Sequence, residues 1–88
     1  MTREQILEVI QANVRQIVPD AENIELNESM RMGDFGANSL DLVEVISRSM
    51  KDLQVKVARA DLMLAEDLQE LVDLFVAAAA KKAEEIRA

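Results

Sequence analysis

Apolar side chains recur at the 3.6-residue spacing of a helix in three separate stretches of this chain. Ile6, Val9, Ile10, Val14, Ile17 and Val18 make the first such face, with Glu4, Glu8, Gln11 and Arg15 mostly opposite. Thr2 is placed to cap that helix, with Gln5 three residues on as the return half of a capping box. Pro19 ends it, because proline lacks an N–H and biases Val18 away from helical geometry. A second helix is expected from Ser39 to about Leu53, capped by Asn38 or Ser39, with Asp41 in its first turn suiting the helix dipole. Asp67 then caps a last helix with Glu70 completing its box, and Leu68, Leu71, Val72, Phe75 and Val76 form the apolar face. With only 2 Gly and 1 Pro in 88 residues, the turns of an all-β fold are not available. The chain is all-α, and its length suits one domain.

Between these helices the sequence is less regular. Asp20 to Asn38 has no clean period, and a loop of that length in a small domain usually means function or hidden local structure. Ile24, Leu26, Met30, Met32 and Phe35 are spaced as anchors for it, and a short helical turn is expected near Glu28 to Met32. An EF-hand reading from Asp20 fails: Glu25 stands where glycine is needed and Arg31 where a bidentate glutamate is needed. Gln54 to Leu64 is a connector in which Val55 and Val57 alternate with polar residues, followed by a helical turn around Arg59 to Leu64. The domain is bounded at 1–76. Residues 77–88, rich in Ala, Lys and Glu, favour helix but lack large apolar side chains apart from Ile86, so they are expected to project into solvent or fray.

Composition then removes whole classes of chemistry. The chain has no His and no Cys, which excludes disulfides, thiol chemistry, the usual zinc ligands and a Ser-His nucleophile. No general base or metal constellation is present, so the chain is not expected to be an enzyme. No run is apolar enough to span a membrane and no signal-peptide core is visible, which points to the cytoplasm.

The net charge of −7 is concentrated. Residues 20–44 carry Asp20, Glu22, Glu25, Glu28, Asp34, Asp41 and Glu44 against Arg31 alone, a balance of −6. Such a field repels nucleic acid and anionic membranes and attracts proteins with basic patches. The plainer reading is a solvated acidic loop.

At the end of that acidic segment stands Gly36-Ala37-Asn38-Ser39-Leu40-Asp41. Ser39 falls at the mouth of the second helix, where free backbone N–H groups and the dipole favour a phosphate. It reads as the attachment point of a phosphate-linked prosthetic group. Along the same helix Leu42, Val45, Ile46 and Leu53 face the core, while Leu40, Val43 and Met50 share a second face with Ser47. That second stripe is either further core or a partner-binding strip rimmed by Asp41 and Glu44.

Together these residues resemble an acyl carrier protein. The carrying segments are Gly36 to Asp41 followed by Leu42-Val43-Glu44-Val45, with Asp61-Leu62 and Asp67 to Phe75 in support. The resemblance covers about residues 3–76. It implies a four-helix bundle of three long helices and one short. It implies that Ser39 carries 4′-phosphopantetheine, donated from coenzyme A by a phosphopantetheinyl transferase. The thiol of that arm would hold acyl groups as thioesters for polyketide or fatty-acid-like biosynthesis. The helix after the serine would be the docking helix, with Asn38, Leu40, Asp41, Val43 and Glu44 on its partner-facing side.

One residue departs from the family pattern. Asn38 stands where the family most often has aspartate, which removes one like charge beside the phosphodiester. Asn with Gly-Ala ahead of it is similar to discrete carriers of bacterial polyketide assembly lines, and within them to stand-alone carriers of β-branching cassettes. Those carriers hold malonyl, then acetyl, and present acetyl to a hydroxymethylglutaryl-synthase-like enzyme. The partners so implied are the transferase, an acyltransferase, and a ketosynthase or that synthase-like enzyme, each with a basic docking patch, acting on a monomeric carrier. A peptidyl or aryl carrier of nonribosomal synthesis shares the chemistry, and an unmodified helical adaptor would use the same strip without the arm.

Overall fold

The computed structural model describes residues 2–21, 25–62 and 64–87, apart from the side chains of Asp20, Met32, Phe35, Ser39, Arg59 and Arg87. Three long helices and one short one make up the molecule: α1 (Arg3–Ile17), α2 (Ser39–Leu53), α3 (Arg59–Leu62) and α4 (Leu68–Arg87). Two 3₁₀ turns, Pro19–Ala21 and Met32–Phe35, lie in the connection between α1 and α2.

Each long helix begins with the cap its sequence provides. Thr2 Oγ1 accepts the N–H of Gln5 at 3.2 Å and Gln5 Oε1 accepts the N–H of Thr2 at 2.8 Å, a complete capping box. At α4, Asp67 accepts the N–H of Glu70 at 2.8 Å. The Glu70 carboxylate reaches one residue further back than a capping box requires and takes the N–H of Glu66 at 2.8 Å.

The core is aliphatic with one aromatic ring at its centre. Ile6, Ile10, Val14 and Val18 from the first segment meet Val45 and Leu53 of α2 and Leu68, Leu71, Val72 and Phe75 of α4, all buried. Each such side chain contributes roughly 1.5–3 kcal/mol by leaving water. α1 packs on both α2 and α4. Two polar residues interrupt this core at helical register. Asn13 falls on the Ile6–Ile10 face and Ser49 on the Val45 face; both are buried. They meet each other: Asn13 Nδ2 donates to Ser49 Oγ at 3.0 Å and to Asp52 Oδ2 at 3.1 Å. Among the described residues every buried side-chain nitrogen and oxygen has a partner, so this network stabilises one register of α1 on α2.

The long connection is held by its backbone as much as by its side chains. Gln11 Nε2 donates to the carbonyl of Leu26, which is buried, and Met30 packs on the core. Ala21, too small to stand out as an anchor in sequence, is fully buried. Of the other expected anchors, Ile24 lies outside the described residues, as do the side chains of Met32 and Phe35. Near the helical turn expected from Glu28 to Met32 there is one hydrogen-bonded turn, with the N–H of Met30 donating to the carbonyl of Asn27 at 3.2 Å, and the 3₁₀ helix follows at Met32–Phe35. The carbonyls of Glu28 and Met30 are engaged elsewhere, accepting the N–H groups of Gln69 and Leu68 at 2.8 and 3.0 Å. A carbonyl used this way is withdrawn from a local helical ladder. Arg3 ties the arrangement together by bonding both Glu28 and Asp73, at 2.7 Å for the latter. Asp73 first, and then Glu28, raise the Arg3 guanidinium above its ordinary range. The stabilisation from this fork is complete below that range and is lost only as pH rises through the raised value.

The end of α4 is helical and meets the rest of the chain only at its start, residues 83–86 being exposed. The helix continues to Arg87, Ala78 and Ala79 pack against the core, and Lys82 Nζ bonds the carbonyl of Gln54 just beyond α2. Ile86 is exposed, as expected. Among the described residues no helix is long and apolar enough to cross a membrane.

Candidate functional site

The entrance of α2 is built by a glycine and an asparagine. Gly36 closes the 3₁₀ turn with φ of 82°, the left-handed region where a side chain is strained, and its N–H donates to the carbonyl of Gly33 at 3.2 Å. Two residues later the chain enters the helix. Asn38 is the cap: its Oδ1 accepts the N–H of Asp41 at 2.8 Å, and Asp41 Oδ2 accepts the N–H of Asn38 at 3.2 Å. Of the two caps the sequence offered, Asn38 takes the role and Ser39 becomes the first helical residue. The side chain of Ser39 lies outside the described part of the structure.

This entrance has free donors. The Asn38 side chain and carbonyl account for the N–H groups of Asp41 and Leu42. Among the described residues no protein acceptor meets the N–H of Leu40, and the N–H of Ser39, first in the helix, has no acceptor within it. Two backbone donors that the helix does not use, and the positive end of a 15-residue helix, therefore lie beside Ser39. Those donors suit a phosphate, so a phosphate-linked group at this serine fits the residues present.

The strip running from this entrance is exposed. Leu40 is 80% and Val43 54% accessible, although both are large aliphatics. Glu44 and Ser47 lie exposed on the same side, at the i, i+3, i+4 and i+7 positions that share a helix face. Of the two readings open for this stripe, the exposure excludes further core for Leu40 and Val43. Met50 leaves the stripe. Its side chain is half-buried on the core, and its sulfur accepts the N–H of Val57 at 3.5 Å from the connector that folds back over it.

The acidic field around the entrance is partly consumed by structure. Glu28 is matched by Arg3, and Glu44 by Arg48 at 3.4 Å across one helical turn. Asp34 accepts the N–H of Arg31 at 2.9 Å, and Asp41 is committed to its cap. Hydrogen bonds to backbone N–H groups leave the charge of Asp34 and Asp41 in place, so the region keeps its negative potential. The solvated-loop reading is thus too plain, since these carboxylates have specific partners. Arg48 also reaches Gln16 on α1 at 3.3 Å, which sequence spacing alone does not reveal.

Comparison with known proteins agrees with this geometry. The family model described as the phosphopantetheine attachment site matches residues 4–75, a span that includes the whole entrance of α2. The polyketide biosynthesis acyl-carrier-protein AcpK of Bacillus subtilis (strain 168) is 26% identical over 74 residues, covering 84% of this chain and 90% of that protein. Among solved structures, a chain of the curacin biosynthetic pathway HMG synthase in complex with acetyl donor-ACP superposes with a TM-score of 0.78 and 34% identity. That match covers 88% of this chain and 99% of the other, so the matched chain is of carrier size and is not the synthase. With its four helices, its open α2 entrance and a family match over most of its length, the chain belongs to the acyl carrier proteins that hold 4′-phosphopantetheine covalently.

Proposed function

We propose that Ser39 is the residue that bears the arm, and that the chain is an acetyl-donor carrier of polyketide biosynthesis serving a hydroxymethylglutaryl-synthase-like enzyme. The observation that carries the first part is the position of Ser39, first in α2, where the helix leaves its first backbone donors without an acceptor of its own. The second part draws its support from the 34% identity to a carrier-sized chain in a complex described as HMG synthase with acetyl donor-ACP.

When bound, 4′-phosphopantetheine supplies a thiol on which acyl groups are held as thioesters. The protein's own residues do the rest. Gly36 and Asn38 fix the direction in which α2 begins. The open N–H groups of Ser39 and Leu40 neutralise part of the phosphate charge. Leu40 and Val43 offer a small apolar centre to a partner, and Asp41 and Glu44 give it a negative rim. Charge steers the encounter, and the small apolar area keeps release fast, which a shuttle needs. Holding the acyl group on a tether raises its effective concentration at the partner's site. The chain contributes no acid or base of its own to the transfer and acts in the cytoplasm as a carrier without catalytic activity.

Incubation with coenzyme A and a broad-specificity transferase, followed by intact mass measurement, tests the attachment. Addition of one phosphopantetheine, lost in Ser39→Ala, is expected. A protein that stays unmodified yet binds its partner would be an adaptor. Loading the modified carrier with acetyl and supplying it to an HMG-synthase-like enzyme with an acetoacetyl-loaded acceptor carrier tests the pathway role. Acetyl that stays on the carrier there would refute it.

A further inference from the structure

Asn38 holds α2 with one oxygen and has a nitrogen left over. The N–H of Asp41 can be met only by an acceptor, so the bond at 2.8 Å fixes the amide with Oδ1 toward the helix and Nδ2 on the other branch. The residue is exposed, and among the described residues its Nδ2 has no protein partner. Two side-chain donors therefore sit one residue before Ser39, at the entrance where the first N–H groups of α2 have no acceptor within the helix. The nearest ionisable groups on the same element are Asp41, which accepts the N–H of Asn38, and Glu44, which leans on Arg48. Neither carboxylate can donate a hydrogen bond when ionised.

On the reading that Ser39 bears the arm, we infer that Asn38 is a phosphate-binding residue as well as a cap: its Nδ2 donates to a non-bridging oxygen of the phosphodiester at Ser39. The choice of asparagine follows from that double duty. Aspartate would cap α2 equally well through either oxygen, but it has no hydrogen to offer and sets a like charge beside the phosphate. Serine would also cap, through a shorter side chain without the amide. Asparagine alone among the favoured caps combines an acceptor for the helix with a separate donor pointing away from it. The consequence is an arm restrained at its root, with its first segment held against the entrance of α2.

The test uses isotope-labelled protein before and after conversion by a transferase, with intact mass confirming one added arm. The side-chain amide pair of Asn38 is expected to shift and to exchange more slowly with water after conversion. The pairs of Asn13, buried on Ser49 and Asp52, and of Asn27, bound to Ser29, serve as internal controls and are expected to stay in place. Asn38→Ser and Asn38→Asp both keep a capping acceptor. Once modified, both are expected to move the phosphorus resonance of the arm away from its wild-type position. Full modification with an unmoved Asn38 amide, or an aspartate variant whose phosphorus resonance matches wild type, would overturn the donor role while leaving the attachment intact. Absence of the mass gain in the wild-type protein would overturn the attachment and this inference with it.

Discussion

α2 and α4 begin in the same way and end in opposite roles. Each opens with a side-chain cap, Asn38 or Asp67, and each has a leucine in its first turn, Leu40 or Leu68. At α4 the remaining donors are closed by the loop: Met30 takes the N–H of Leu68, Glu28 takes that of Gln69, and Leu68 is fully buried. At α2, among the described residues, no acceptor meets the N–H of Leu40, and Leu40 is 80% accessible. A helix entrance is a structural joint when neighbouring carbonyls fill it and a binding site when they do not. Helix propensity and capping say nothing about which will occur, because the plug comes from residues some forty positions away.

The largest contrast is expected in amide hydrogen exchange. Leu68 and Gln69 should exchange only through large-scale opening, at least about a thousandfold slower than Ser39 and Leu40 after correction for intrinsic rates. Similar protection at the two entrances would erase the distinction. Truncating the two leucines comes next. Leu68→Ala is expected to cost about 2–5 kcal/mol in urea denaturation. Leu40→Ala should fall within about 0.5 kcal/mol of wild type while slowing partner turnover. A destabilised Leu40→Ala would mean that the strip is core after all. The caps should cost about the same, about 1 kcal/mol for Asn38→Ala and for Asp67→Ala, since that bond is alike at both ends. A much larger loss at Asn38 would show that α2 leans on its entrance more than α4 does. Smallest in stability is Glu44→Lys. Loss of the exposed pair with Arg48 is expected to change unfolding by only about 0.3–0.5 kcal/mol. Partner turnover should fall at low salt, and the difference should shrink as salt screens the field. Unchanged kinetics at low salt would remove Glu44 from the docking face.

The parts legible in sequence were those decided within a few residues. The Thr2–Gln5 box, the Asp67 cap and the limits of α2 depend on local bonds, and the structure has them where the residue types place them. The helical faces were legible for the same reason, although whether the stripe of Leu40 and Val43 is core or exposed was decided only by the structure. What could not be read is set by long-range partners. The segment from Glu28 to Met30 stays a single turn and the 3₁₀ helix begins only at Met32, because Glu28 and Met30 lend their carbonyls to α4. Met50 turned inward because Val57 folds back onto its sulfur. Asn13 and Ser49 left a signal that could have been used: each is a polar residue at a core position of its helix, and two such interruptions on neighbouring helices invite pairing.

The bond from Lys82 to the carbonyl of Gln54 sets where α4 points after it leaves the core. A 15-residue α2 separates Gln54 from Ser39 by about 22 Å. A fluorophore or fusion partner attached after Arg87 would thus ride on a stiff stalk well clear of the serine. Distances measured from such a label to a docked enzyme would report how the carrier is oriented, with little blurring from a slack tether.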